Sequence, residues 1–439
     1  MTKSKIQNLR KKYPKFVYKN YSYCTIGRNF KAVFDFRIEP GIFFSPEIII
    51  ENVYPELVER VDGKTLDNLV FHLGLIEIPS YWKTTCSPII EIKAGYLNSD
   101  QIKWWKKLLI DGMGQFYFEN KIDWRKKDFI KIDVRSDKIS KSFNTKLKNR
   151  YLVPFAGGRD SIVTLESLKK PSFAKATEGK GKKEIALFTV NPIEKIQKTV
   201  KVSGIGKQII VRRIIDEKLL EMNKQGFLNG HTPFTSLLSF LSVFCAVIFD
   251  YKNIAFSNEE SADEGNVRYL GKIINHQWAK SSQFEKMFRE YSKKYLAKNI
   301  NYFSYLRKYN ELEISKMLTK YPQYFPVFSS CNAGMKMNAI GTLHAKERWC
   351  GNCTKCLFVY LMLYPFLDKK QLLEIFGKDF FENRGLLSIM EELIGEKTIK
   401  PFECVGTKKE SKMAFKLSLK KFLRQTQGKQ LPYLLRKLK

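Results

Sequence analysis

Apolar and polar residues alternate through Phe16–Tyr23, Ala32–Ile38, Phe43–Val53 and Ile89–Ile92, with Gly, Pro and Asn clusters between them. That pattern predicts half-buried strands joined by turns. In Ser99–Met113 the period changes, because Trp104, Trp105, Leu108 and Leu109 recur at helical spacing, and an amphipathic helix is expected. From Tyr151 onward, short apolar runs at Tyr151–Phe155, Ile185–Val190, Ile209–Ile214 and Asn253–Ser257 are separated by helical stretches. Such alternation predicts a parallel sheet. Pro233–Phe249 is the longest apolar stretch, contains Ser236, Ser239 and Ser242 and is short for a membrane span, so it reads as a buried helix. Beyond Pro365 the chain becomes short amphipathic helices and basic stretches.

These patterns suggest an α/β protein in three parts: a mixed α+β domain over 1–145, a parallel-sheet nucleotide-binding domain over 146–330, and a cysteine cluster with a helical extension over 331–439. Within the second part, Lys170–Lys183 reads KPSFAKATEGKGKK, too polar to bury a core, and is expected to be a surface insertion.

With 439 residues and 44% hydrophobic content, the chain can build real cores. Its 77 basic and 44 acidic residues give a net charge of +33, which attracts polyanions and admits nucleic acid or nucleotide phosphates as partners. The lysines are spread over the whole length, however, so charge alone does not favour nucleic acid. Met1–Tyr13 is polar and lysine-rich, unlike a secretory leader, and the expected location is the cytoplasm. There, eight cysteines are thiols or metal ligands rather than a disulfide framework. Cys24, Cys86, Cys245 and Cys404 are scattered singly and read as buried small residues.

The most informative segment is Val153-Pro154-Phe155-Ala156-Gly157-Gly158-Arg159-Asp160-Ser161, running into Ile162–Glu166. A strand, a glycine turn and a helix start in succession bring backbone N–H groups and the positive end of the helix to one point, which suits phosphate. Ser161 adds a hydroxyl donor, and Asp160 can orient the loop or hold a divalent ion. The spacing resembles the S-G-G-x-D-S loop of ATP pyrophosphatases, with Ala156 in place of the usual serine and Arg159 in place of a frequent lysine. After the strand at Asn253–Ser257, the polar residues Asn258, Glu259 and Glu260 are expected at the same crevice, as candidates for Mg²⁺, ribose or substrate.

Cys350, Cys353 and Cys356 form C-x-x-C-x-x-C, and Cys331 lies nineteen positions earlier. Four thiolates so arranged can close a tetrahedral zinc site, while an iron–sulfur cluster is the less favoured alternative. His276 and Lys280 are four apart and would share one face of a helix, where a neutral base could remove a proton. His231, in Gly230-His231-Thr232-Pro233, is the second base candidate, whereas His72 and His344 have no supporting context.

VPFAGGRDSIVTLE, SNEESADEGNV, YLGKIINHQWAKSSQFEKMFREY, YFSYLRKYNELEISK, FSSCN, RWCGNCTKCLFVYLMLYPF and KPFECVGT together span Tyr151 to Gly406. By these strings the chain resembles the UDP-N-acetyl-α-D-muramoyl-L-alanyl-L-glutamate epimerases of bacterial peptidoglycan synthesis. The resemblance implies an ATP- and Mg²⁺-dependent inversion of the terminal L-glutamate through an acyl-adenylate, with release of AMP and diphosphate. It also implies that Gly157, Gly158, Arg159 and Ser161 face the diphosphate and that His276, Lys280 or His231 moves the proton. Arg268, Arg289, Arg307 and Arg348 are candidates for the UDP phosphates or substrate carboxylates. Two alternatives stay open: an ATP pyrophosphatase that modifies transfer RNA or a nucleobase, and a non-catalytic nucleotide- or metal-binding module.

Overall fold

The structure is a computed structural model that describes residues 3–170, 183–331, 348–425 and 430–439. Most of the expected insertion at 170–183, and His344, lie outside the described residues. The strands are β1 (Lys15–Ile26), β2 (Asn29–Glu39), β3 (Ile42–Phe44), β4 (Glu47–Glu51), β5 (Ile89–Ile92), β6 (Lys131–Val134), β7 (Tyr151–Pro154), β8 (Ile185–Val190), β9 (Gln208–Ile214), β10 (Asn253–Phe256), β11 (Val267–Tyr269), β12 (Lys272–Ile274) and β13 (Asn301–Ser304). Phe43–Val53, read as one strand, is two: Pro46 has no N–H to donate, and the chain breaks there between β3 and β4.

Eleven strands make one sheet in the order β13-β10-β7-β8-β9-β4-β2-β1-β5-β6, with β3 beside β2, while β11 and β12 pair separately. The sheet continues across residue 145. Its seam is the antiparallel pairing of β4 with β9, from Glu47 opposite Ile214 to Ile50 opposite Val211. On one side of that seam β9, β8, β7, β10 and β13 are all parallel. Their carboxyl ends therefore open on a common edge, and the order places β7 between β8 and β10, where the winding direction reverses.

Successive side chains of the parallel strands feed two cores. Leu152, Ala186, Phe188, Ile254 and Phe256 join the core that contains the helices Gly63–Trp82 and Phe234–Phe249. Val153, Leu187 and Ala255 join the other, with the helices Arg159–Lys169 and Thr354–Leu363. The expected buried helix is Phe234–Phe249, whose serines satisfy themselves locally: Ser239 Oγ donates to Thr235 O at 2.9 Å and Ser242 Oγ to Ser239 O at 2.8 Å. No described helix is long and apolar enough to cross a membrane.

Candidate active site

The glycine loop leaves β7 at the edge where the parallel strands end. Gly157 has φ +69°, a left-handed conformation that favours glycine, and a Cβ there would come within 3.1 Å of Thr199 Oγ1. Gly158 then caps the helix Arg159–Lys169 without a side-chain bond of its own; Arg159 N–H donates to Ser330 Oγ at 3.4 Å, and the N–H groups of Asp160 and Ser161 are the ones open to an anion. In front of the loop lies a cavity of about 310 Å³ lined by Ala156, Gly158, Asp160, Ser161, Asn258 and Lys280, with Phe188, Val190, Phe234 and Leu238 supplying an apolar wall. A lining that mixes polar groups with apolar side chains suits a ligand that joins phosphates to an aromatic base.

Not every loop residue faces the cavity. The Arg159 side chain is 1% exposed and turns into the core, where Nη1 donates to Ser315 Oγ at 3.0 Å, Nε to Asp160 Oδ1 at 2.7 Å, and Nη2 to Glu311. Burial alone would raise the pKa of Asp160, but Arg159, Lys355 and Lys280 hold its carboxyl below the usual range. Burial pushes Glu311 upward despite Arg159. Glu259 is buried too, and its Oε2 has no hydrogen-bond partner among the described residues, whereas Glu260 is exposed. Asn258 donates to Ser304 Oγ at 3.0 Å.

His276 and Lys280 do not share a regular helix. They occupy a turn and the single 3₁₀ turn Trp278–Lys280, because Asn275 Oδ1 accepts from Gln277 N at 2.7 Å and Ser281 caps the next helix, so two local caps close the chain before an α-turn can form. The two side chains nonetheless converge, together with His231 and Cys404. The rings of His231 and His276 are 4.6 Å apart, and His276 Nε2 lies 3.8 Å from Cys404 Sγ. The charge of Lys280 acts on the same thiol. Burial would lower the pKa of Lys280, but Cys404, Glu259 and Asp160 hold it well above the ordinary lysine value. Burial, then His276 and Lys83, push His231 down to about 3. Burial would push the Cys404 thiol up, but the charge of Lys280, the hydrogen bond from His276 and the charge of Lys355 bring it to about 6.

Cys404, read from sequence as a buried small residue, is half-buried and sits in this group. The segment around it is clamped: Asn266 Nδ2 donates to Pro401 O at 2.6 Å, Gln277 Nε2 to Val405 O at 3.1 Å, and Lys355 Nζ to Cys404 O. At Gly406 an added Cβ would stand 2.7 Å from Glu311 Cγ, so the strap fits only as glycine. Of the four arginines proposed for anions, Arg307 is held by Glu259 O, Lys280 O and Glu285, Arg289 by Tyr302 O and Glu285, and Arg348 by Phe325 O and the carbonyls of Glu374 and Ile375. Arg268 is exposed.

Cys331, Cys350, Cys353 and Cys356 come together, with all four sulfurs within 4.8 Å of one another. Cys350 Sγ and Cys356 Sγ are 3.8 Å apart, close to the edge of a tetrahedron with Zn–S bonds of about 2.3 Å. Gly351, at φ +69°, makes the turn that returns the chain from Cys350 to Cys353.

Residues 7–305 match the MurL N-terminal domain, and residues 327–431 match the MurL C-terminal domain. The chain is 29% identical over 372 residues, 82% of its length and 79% of the relative's, to the UDP-N-acetyl-alpha-D-muramoyl-L-alanyl-L-glutamate epimerase of Xanthomonas oryzae pv. oryzae (strain MAFF 311018). It is 31% identical over 364 residues, 83% of this chain and 75% of the relative, to the protein of that name from Salinispora tropica (strain ATCC BAA-916 / DSM 44818 / JCM 13857 / NBRC 105044 / CNB-440). Over 268 residues, 61% of this chain and 56% of the relative, it is 35% identical to the one from Micromonospora sp. (strain ATCC 39149 / NRRL 15099 / SCC 1413). With its two domain matches covering most of its length, the chain belongs to the MurL family.

Proposed function

We propose that this protein inverts the terminal L-glutamate of UDP-N-acetylmuramoyl-L-Ala-L-Glu to D-glutamate at the expense of ATP, as a step in making peptidoglycan precursors. The observation that carries the ATP requirement is the helix N-terminus behind Gly157 and Gly158, whose Asp160 and Ser161 line a cavity of about 310 Å³ that also has an apolar wall. The chemistry requires an activation of this kind. A proton beside a carboxylate is hard to remove because the carbanion places a second charge on an already anionic group, and joining that carboxylate to AMP removes the first charge.

In this reading the glutamyl carboxylate attacks the α-phosphate of ATP, and diphosphate departs toward the loop amides and Ser161. Arg159 acts from behind, holding Asp160 and the loop in place through its buried contacts. Mg²⁺ would offset phosphate charge, with Asp160 the better placed carboxylate because it lines the cavity, whereas Glu260 is exposed. The four-cysteine cluster fits a structural zinc that would tie the segment before Ser329–Cys331 to the helix Thr354–Leu363.

The test is incubation with ATP, Mg²⁺ and UDP-N-acetylmuramoyl-L-Ala-L-Glu, followed by assay of AMP, diphosphate and the chirality of glutamate after hydrolysis. One AMP and one diphosphate for each turnover, with D-glutamate formed, is the expected result. Folded protein that yields only L-glutamate and no AMP overturns the reading.

A further inference from the structure

We propose that the Cys404 thiol is the group that takes the proton from the glutamyl α-carbon, with Lys280 as its charged partner and His276 as its proton outlet. This rests on the ATP-dependent epimerase reading above.

The first argument is a chain of oriented hydrogen bonds. Gln115 Nε2 donates to Glu119 Oε1 at 2.7 Å, which turns the amide so that Gln115 Oε1 faces His276 Nδ1 at 2.5 Å. A carbonyl oxygen can only accept, so Nδ1 carries the hydrogen; the neutral ring presents the lone pair of Nε2 to Cys404 Sγ at 3.8 Å, and once Nε2 has taken the thiol proton its N–H donates back to the thiolate. An imidazole fixed in this tautomer is ready to receive a thiol proton. Glu119 and Gln115 come from the helix Gly114–Glu119 and Cys404 from the clamped strap, so three separate segments are needed to build the relay.

Location supplies the second argument. Lys280 lines the nucleotide cavity beside Asp160 and Gly158, and its charge acts on the thiol as well. A glutamyl carboxylate placed to attack the α-phosphate brings its α-carbon within one side chain of that group. The third argument concerns charge. Lys280 is held as the ammonium and cannot itself accept a proton, but it suits the oxygen of a developing enolate. The thiolate is the basic member of the pair, and burial keeps His231 neutral.

The step balances as follows. The Cα–H bond breaks and an S–H bond forms, while the C–H electron pair becomes the enolate of the acyl-adenylate, whose oxygen faces Lys280. A solvent-derived proton arrives on the other face of Cα. The thiol proton then returns to solvent through His276 Nε2, and water cleaves the mixed anhydride to release AMP.

The reaction is run in D₂O with wild type, Cys404→Ser and Cys404→Ala, reading AMP release, deuterium at the glutamyl α-carbon and D-glutamate, with circular dichroism as the folding control. Wild type should incorporate one deuterium per D-glutamate. In both variants deuterium and D-glutamate should fall by at least about 100-fold, the low end for a positioned general base, while AMP is still released by hydrolysis of the unepimerised adenylate. Retention of D-glutamate formation within a few-fold of wild type overturns the proposal. Parallel loss of AMP and deuterium overturns it too, because the thiol would then serve adenylation or accept the acyl group. Wild type that makes neither AMP nor D-glutamate removes the reaction itself, which is a different failure.

Iodoacetamide labelling of the Cys404 peptide gives a readout independent of turnover. Alkylation should rise through about pH 6 in wild type and move upward in His276→Ala. An unshifted midpoint in that variant overturns the relay.

Discussion

Two sulfur sites share the helix Thr354–Leu363, and they are built on opposite principles. In the cluster of Cys331, Cys350, Cys353 and Cys356, the sulfurs have one another as neighbours and could satisfy a metal without outside help. At Cys404 the neighbours are nitrogen groups, Lys280 and His276, while Lys355 from that same helix holds the backbone carbonyl. The first arrangement suits binding a metal, and the second suits moving a proton. Thiol chemistry is therefore set by what surrounds the sulfur rather than by burial, since both sites lie partly beneath the surface.

The contrast is sharpest in stability. Cys356→Ser should abolish bound zinc, measured by mass spectrometry of the metal, and cost on the order of 5 kcal/mol in denaturant unfolding, a part of the free energy of a structural zinc site. Arg159→Met should come next, at about 3–5 kcal/mol, because Glu311 stays buried without its cation. Gly157→Ala should cost about 1–2 kcal/mol from its positive φ, yet weaken ATP binding measured by calorimetry, since the new Cβ crowds the loop. Cys404→Ser should be smallest, at about 1 kcal/mol at pH 7, and its signature is a slope. The folded-state thiol titrates near pH 6, below its ordinary value of 9.0, so its contribution is complete above pH 9 and is lost as pH falls toward 6. Melting temperatures across that window should rise with pH more steeply in wild type than in Cys404→Ser. Equal slopes would erase the distinction between the two sites.

What the sequence revealed, and what it hid, follows the same division. Strands β8 and β10 and the helix Phe234–Phe249 were legible because unbroken apolar runs between glycines or polar turns specify them locally. The four-cysteine cluster was legible because three of its members fall within seven residues. Cys404 was not, since its partners His276 and Lys280 lie more than a hundred positions away and a single cysteine in KPFECVGT has no periodicity to betray it. Arg159 was read toward phosphate for a similar reason. Glu311, which draws it inward, is 152 positions distant. The regular helix expected to carry His276 and Lys280 fails at Asn275 and Ser281, whose side chains bond to nearby N–H groups.

The seam between β4 and β9 also has a consequence for synthesis on the ribosome. β4 reads Glu-Ile-Ile-Ile-Glu, and the strand that covers its edge emerges about 160 residues later. At about 5–20 residues per second, that edge waits roughly ten to thirty seconds for its partner. The glutamates at its two ends are then its protection against pairing with another nascent chain. Glu47 is held meanwhile by Lys31 of β2 at 2.8 Å, and once β9 arrives Glu51 becomes an attachment, to Arg212 at 2.7 Å.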